Sequence, residues 1–192
     1  MHDRGVGFAA IMAVLLGSGT AAAQAPTSPL CNFVQKVLAA KPDGFEALKG
    51  EAQNPAVFKN EVFHGALLPN PNGNCTLFLR SQAGRVTLPP RYSCTLDQQS
   101  DFAAANRVFG RAALELRACL KEAMFSIKYD GDGKDPDESF DWIVSADGEG
   151  FRIDLEMSNG ISALADALSQ GNANAPPIAI DLDVTDTTPE SP

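Results

Sequence analysis

The stretch from Cys75 to Lys121 most constrains the fold, because it holds three of the four cysteines of the chain. It begins with a predicted β-hairpin, whose turn lies near Gly84, a residue that adopts positive φ at no steric cost. Such a turn places Cys75 opposite, or nearly opposite, Cys94. Cross-strand neighbours lie within the Cα separation that a disulfide needs.

A predicted amphipathic helix follows the hairpin directly. Six of its residues recur at three- and four-residue steps and therefore share one face: Phe102, Ala105, Phe109, Ala112, Leu116 and Cys119. Asp97 or Ser100 is the expected N-terminal cap. The spacing predicts that Cys119 points into the core.

Residues 1–23 have the features of a secretory signal peptide. Arg4 gives a short basic start, and residues 6–16 form an apolar run too short to span a bilayer. Residues 21–23 are alanines that suit cleavage before Gln24. We therefore expect export to the periplasm or the exterior, and no transmembrane segment in the mature chain.

In an exported chain, four cysteines most simply form two disulfides, for which three pairings exist. The hairpin favours Cys75–Cys94, which leaves Cys31–Cys119. A Ser-Pro pair predicts a helix start just before Cys31. The second bridge would then join the start of the first helix to the end of the second, so that the two run antiparallel.

Residues 61–68 are a further strand candidate. Alternating apolar residues predict a half-buried strand at 125–129 and a hairpin over 140–157 around Asp147 and Gly148. Residues 161–168 predict a short last helix. The order is α-β-β-β-α-β-β-α. We therefore predict an α+β fold in which an antiparallel sheet of about five strands packs two long helices on one face.

The predicted domain covers residues 28–171, and residues 172–192 form an acidic, proline-containing tail. Within the tail, residues 178–184 alternate apolar and acidic side chains like a strand, which could add to an exposed sheet edge. The flanking composition instead favours disorder.

Charge is divided along the chain, whose net charge is −9. Residues 24–128 carry 12 basic and 8 acidic side chains, whereas residues 129–192 carry 2 and 15. An acidic C-terminal half argues against nucleic-acid binding, which needs a basic surface.

An acidic loop is the candidate metal site, since calcium takes several carboxylate oxygens from a flexible loop. Its spacing departs from the EF-hand pattern, with Lys134 at the fifth position and Asp135 where glycine belongs. Calcium is the single cofactor that the sequence suggests. Its candidate ligands are Asp130, Asp132, Asp135, Asp137 and Glu138.

Catalytic candidates are few. His64 is the single histidine after the predicted signal peptide, and it lies in a predicted strand without a nucleophile elbow. Asp141 and Asp154 lie on one face of the last hairpin and are close in its simplest register. Two facing carboxylates could share a proton in acid–base chemistry, although a solvated outer face is the commoner arrangement.

The element order is similar to that of the small α+β fold of secretion chaperones. Cys31 in a first helix, the segment 45–50, the segment 92–94 and a helix ending at Cys119 also resemble a group of small uncharacterised exported bacterial four-cysteine α+β proteins. The usual Leu-Pro-Gly before the second cysteine appears here as Leu-Pro-Asn at 68–70. No activity is established for that group, so the resemblance implies fold and compartment alone.

These observations favour a non-enzymatic module of the cell envelope. It would act in binding, as a chaperone or in assembly, and hold a protein partner through its sheet or its acidic edge. The alternatives are a calcium-responsive domain that uses residues 130–138 and a hydrolase of unrecognised type.

Overall fold

The computed structural model describes residues 28–53, 61–71, 73–83, 86–131, 140–159 and 178–189. Within these residues the chain forms two α-helices and ten strands. The helices are α1 (Pro29–Ala39) and α2 (Phe102–Cys119). The strands are β1 (Lys49–Ala52), β2 (Val62–Gly65), β3 (Asn74–Phe78), β4 (Ser81–Ala83), β5 (Val86–Leu88), β6 (Arg91–Gln99), β7 (Met124–Asp130), β8 (Asp141–Gly148), β9 (Phe151–Ser158) and β10 (Ile178–Asp186).

Eight of the strands form one antiparallel sheet in the order β1-β2-β3-β6-β10-β9-β8-β7, and β4 pairs with β5 in a separate ribbon. The prediction of about five strands with two long helices, in the order α-β-β-β-α-β-β-α, is therefore wrong. It missed β1, which is short and mostly exposed, because that strand lacks apolar alternation. The helix predicted at 161–168 lies outside the described residues.

Both helices pack on one face of the sheet. Ser28 caps α1 by accepting a hydrogen bond from the Cys31 amide at 3.1 Å, with proline in the first turn, as predicted. The cap of α2 is Asp101, which accepts from the Ala104 amide at 2.8 Å, so the prediction of Asp97 or Ser100 is wrong. The helix starts later because β6 continues to Gln99.

The two disulfides have the pairing that the sequence predicted. Cys75 and Cys94 are direct partners in the β3–β6 ladder, with 4.1 Å between their Cα atoms. Cys31 and Cys119 join the first turn of α1 to the last turn of α2, with 5.6 Å between Cα atoms.

The last hairpin turns two residues later than predicted. Gly148 pairs with Phe151, so the loop residues are Glu149 and Gly150, and Gly150 has a φ of 69°. A Cβ atom on Gly148 would lie 2.1 Å from the Phe151 ring, so this glycine makes room for a side chain rather than forming the turn. Moving the turn by two residues shifts the cross-strand pairing by four, which keeps every side chain on its face but changes its partners.

The C-terminal segment forms the centre of the sheet. β10 pairs along its length with β6 on one side and with β9 on the other. Ile178, Ile180, Leu182 and Val184 are buried beneath the helices, and the residues between them face the other way. The alternation predicted a strand correctly, whereas the disorder favoured by the flanking composition is wrong for these residues.

The strand predicted at 125–129 exists as β7, but it is an edge strand and mostly exposed rather than half-buried. The alternation of apolar and polar residues predicts the strand correctly. It carries no information on whether another strand pairs with its outer side.

An acidic open face of the sheet as the candidate functional site

The sheet face opposite the described helices is polar and strongly acidic at its centre. The β9–β10 register places Asp181 opposite Glu156 and Asp183 opposite Asp154. These four residues, the carboxylate quartet, share the face that does not carry the buried apolar side chains of the two strands. Directly opposite Cβ atoms are about 4.5–5.5 Å apart, and like charges there destabilise a sheet.

Cations balance one row of the quartet. Arg152 donates from Nε to both carboxylate oxygens of Asp154, at 3.0 and 2.9 Å, and the Ser145 hydroxyl donates to the same group. Arg91 donates from Nη1 to Asp183 at 3.4 Å and lies over the ring of Phe78. The second oxygen of Asp183 is buried and has no hydrogen-bond partner among the described residues.

The second row, Asp181 and Glu156, has polar but no cationic partners among the contacts in the described part of the chain. The Thr95 hydroxyl donates to Asp181 at 2.7 Å. Burial raises the pKa of Asp181, the Thr95 bond opposes that rise, and the charge of Asp183 adds to it. The row therefore holds negative charge in a position where burial disfavours it.

Glu156 is the most crowded member of the quartet. Burial raises its pKa, the charges of Asp141, Asp181 and Asp183 raise it further, and a hydrogen bond with Ser158 opposes them. Its carboxylate therefore binds a proton more readily than an isolated glutamate does.

The carboxylates of Asp141 and Asp154, which the sequence predicts to be neighbours, are not cross-strand partners in the structure. Asp141 pairs with Ser158, and Asp154 pairs with Ser145. The two carboxylates share a face as predicted, but the prediction that they are neighbours is wrong, because the hairpin turns two residues late. Along β9, Glu156 lies between Asp154 and Ser158, the residue that pairs with Asp141.

Sequence reasoning missed Glu156, Asp181 and Asp183 as site residues. A signal was present, since residues 151–157 and 178–184 alternate apolar with mostly charged side chains in the same way. Two such strands that pair with apolar faces aligned must also align their charged faces.

His64 lies on β2 and is exposed. It pairs with Thr76 in the ladder, and its Nδ1 atom lies 3.4 Å from the side-chain nitrogen of Gln53. None of its recorded contacts is with a carboxylate or a nucleophile in the described parts of the chain.

Of the candidate calcium ligands, Asp130 ends β7 and is exposed. Asp132, Asp135, Asp137 and Glu138 lie outside the described residues. Among the residues that are described, no group of three or more histidine, cysteine, aspartate or glutamate side chains is arranged to hold a metal ion.

A cavity of about 320 Å³ lies at one end of the open face. Apolar side chains of Val62, Phe78 and Leu88 line it together with the polar side chains of Arg91 and Thr185. Its size is at the lower limit for small-molecule sites.

Comparison of the chain with protein-family models, curated proteins and solved structures gives no match in any of the three. In the described part of the chain, neither α-helix combines the length and the apolar character that crossing a membrane requires.

Proposed function

We propose that this chain is an exported, non-enzymatic binding module that holds a cationic protein segment on its open sheet face. One observation carries the proposal: the quartet places carboxylates directly opposite one another on the adjacent strands β9 and β10. Charges of like sign in that position oppose folding. A bound lysine or arginine would relieve this repulsion. The folded protein would therefore be less stable without the partner than with it, as is common where a surface is kept for binding.

Export, to the periplasm or the exterior, belongs to the same proposal. It is supported by the N-terminal sequence and by two disulfides, which persist in oxidising compartments. The resemblance to exported four-cysteine proteins agrees with it.

The proposal is tested with a short peptide of alternating lysine and threonine as the probe. We expect it to bind the purified protein and to dissociate as salt is raised, because screening shortens to about 3 Å at 1 M ionic strength. The double variant Glu156→Gln/Asp181→Asn should weaken binding roughly 2- to 30-fold, given about 0.2–1 kcal/mol for each charge pair at a protein surface.

The matched control is Glu122→Gln/Glu149→Gln, which changes the net charge equally at two exposed positions away from the quartet. It should leave the affinity within about twofold, because net charge acts only weakly at a distance beyond the screening length. Equal losses in both double variants, or binding unaffected by salt, would refute the assignment of the partner to the open face.

A further inference from the structure

The edge strand β7 presents the largest group of exposed apolar side chains in the described residues. Met124, Ile127 and Tyr129 are 75%, 55% and 60% exposed. β7 pairs with β8 on one side, and no described strand pairs with its other side. Proteins normally protect such an edge, because its unpaired backbone groups are a template for another strand.

Three apolar side chains of β7 form a stripe on the face that carries the helices, whereas Met124 lies on the other face. Phe125, Ile127 and Tyr129 pair with Ala146, Val144 and Trp142 of β8. Val144 and Ala146 are buried, whereas Ile127 and Tyr129 lie one strand further out. The core of the sheet therefore continues to an edge where its apolar surface meets solvent.

The sequence of β7 is complementary to itself. An antiparallel copy centred on Ile127 places Phe125 opposite Tyr129, and Ser126 opposite Lys128. Met124 then lies opposite Asp130. All seven residues are paired, and no like charges lie directly opposite. Aromatic cross-strand pairs stabilise a sheet, and Lys128, which would repel its own copy, meets a serine.

We propose that β7 is the interface for a second copy of this chain, which pairs edge to edge about a twofold axis at Ile127. The two sheets become one, and the stripes of Phe125, Ile127 and Tyr129 join on the face that carries the helices. A symmetric pair of identical edges closes the assembly at two copies, because each sheet contributes the same edge.

The test compares two variants that add the same charge to the same strand. Ile127→Lys puts two ammonium groups opposite each other at the axis and should raise the dissociation constant of the dimer by more than about tenfold. Met124→Lys puts lysine opposite Asp130 and should leave the dissociation constant within about threefold, or lower it. Sedimentation across micromolar concentrations measures both, and circular dichroism checks folding.

Cysteine cross-linking tests the register independently. Ile127→Cys should form a covalent dimer on mild oxidation, because opposite residues meet the Cα separation of a disulfide. Lys128→Cys should form no such dimer. Lys128 lies opposite Ser126 of the second copy, so the two cysteines at position 128 would be two residues away from a directly opposite position. A wild-type monomer at all concentrations, equal dissociation by the two lysine variants, or cross-linking at residue 128 instead of 127 would overturn the proposal.

Discussion

Tyr92 secures a loop to the sheet through a single hydroxyl. Its oxygen donates to the carbonyl of Leu67 at 2.6 Å and accepts from the amide of the same residue at 3.1 Å. Burial raises its pKa, although the Leu67 bond opposes the rise. Gly65 makes room for the hydroxyl, since a Cβ there would lie 2.2 Å from the Tyr92 oxygen.

Removing that hydroxyl should destabilise the protein. Tyr92→Phe leaves the donor and the acceptor of Leu67 without a partner, which typically costs about 1–3 kcal/mol. Tyr129→Phe is the matched control at an exposed ring and should change the free energy of unfolding by less than about 0.5 kcal/mol. Urea denaturation measures both, and equal effects would show that the Leu67 bonds contribute nothing.

At the scale of elements, β10 joins the two halves of the sheet. The strands of residues 49–99 lie on one side of it, and those of residues 124–158 lie on the other. Its side chains Ile180 and Leu182 are fully buried, so it supplies core as well as ladder hydrogen bonds.

A chain that ends at residue 177 should therefore fail to form the native sheet. We expect it to lose the cooperative thermal transition, because β6 and β9 would each keep an unpaired edge and the core would lose a complete apolar row. A chain that ends at residue 189 is the control and should melt like the wild type. A cooperative transition in the shorter chain at an unchanged Tm would contradict the central role of β10.

Features of this fold that depend on residues close together in the chain could be predicted from the sequence. The pairing of Cys75 with Cys94 was predicted from a turn near Gly84, a residue outside the described part of the chain, and the buried face of α2 was predicted from helical spacing. The position of β10 could not be predicted, because the partners of a strand depend on residues far away in the chain. The quartet was missed for the same reason, since Asp181 meets Glu156 only through that long-range pairing.

For the molecule as a whole, the quartet sets a direction for the pH dependence of stability. The folded-state pKa values of Glu156 and Asp181 are raised above their ordinary values of 4.5 and 3.8. In the window between ordinary and raised values, the native state binds more protons than the unfolded state. The contribution of these groups to stability therefore falls as the pH rises through that window.

The variant Glu156→Gln/Asp181→Asn should consequently have a higher Tm than the wild type at neutral pH. The difference should shrink as the pH falls below the raised pKa values, where the wild-type groups are also uncharged. Thermal melts across the acidic range measure it. A difference that stays constant with pH would show that packing, not charge, separates the two proteins.

The position of β10 also has a consequence for how the chain is made. A chain that emerges from its N-terminus delivers this strand of the sheet after all the other described strands, including the two that border it. Until residue 186 arrives, β6 and β9 have no common neighbour, and the disulfide between Cys75 and Cys94 can stabilise only the earlier half. The sheet is therefore completed only when β10 becomes available, and until then β6 and β9 each keep an unpaired edge.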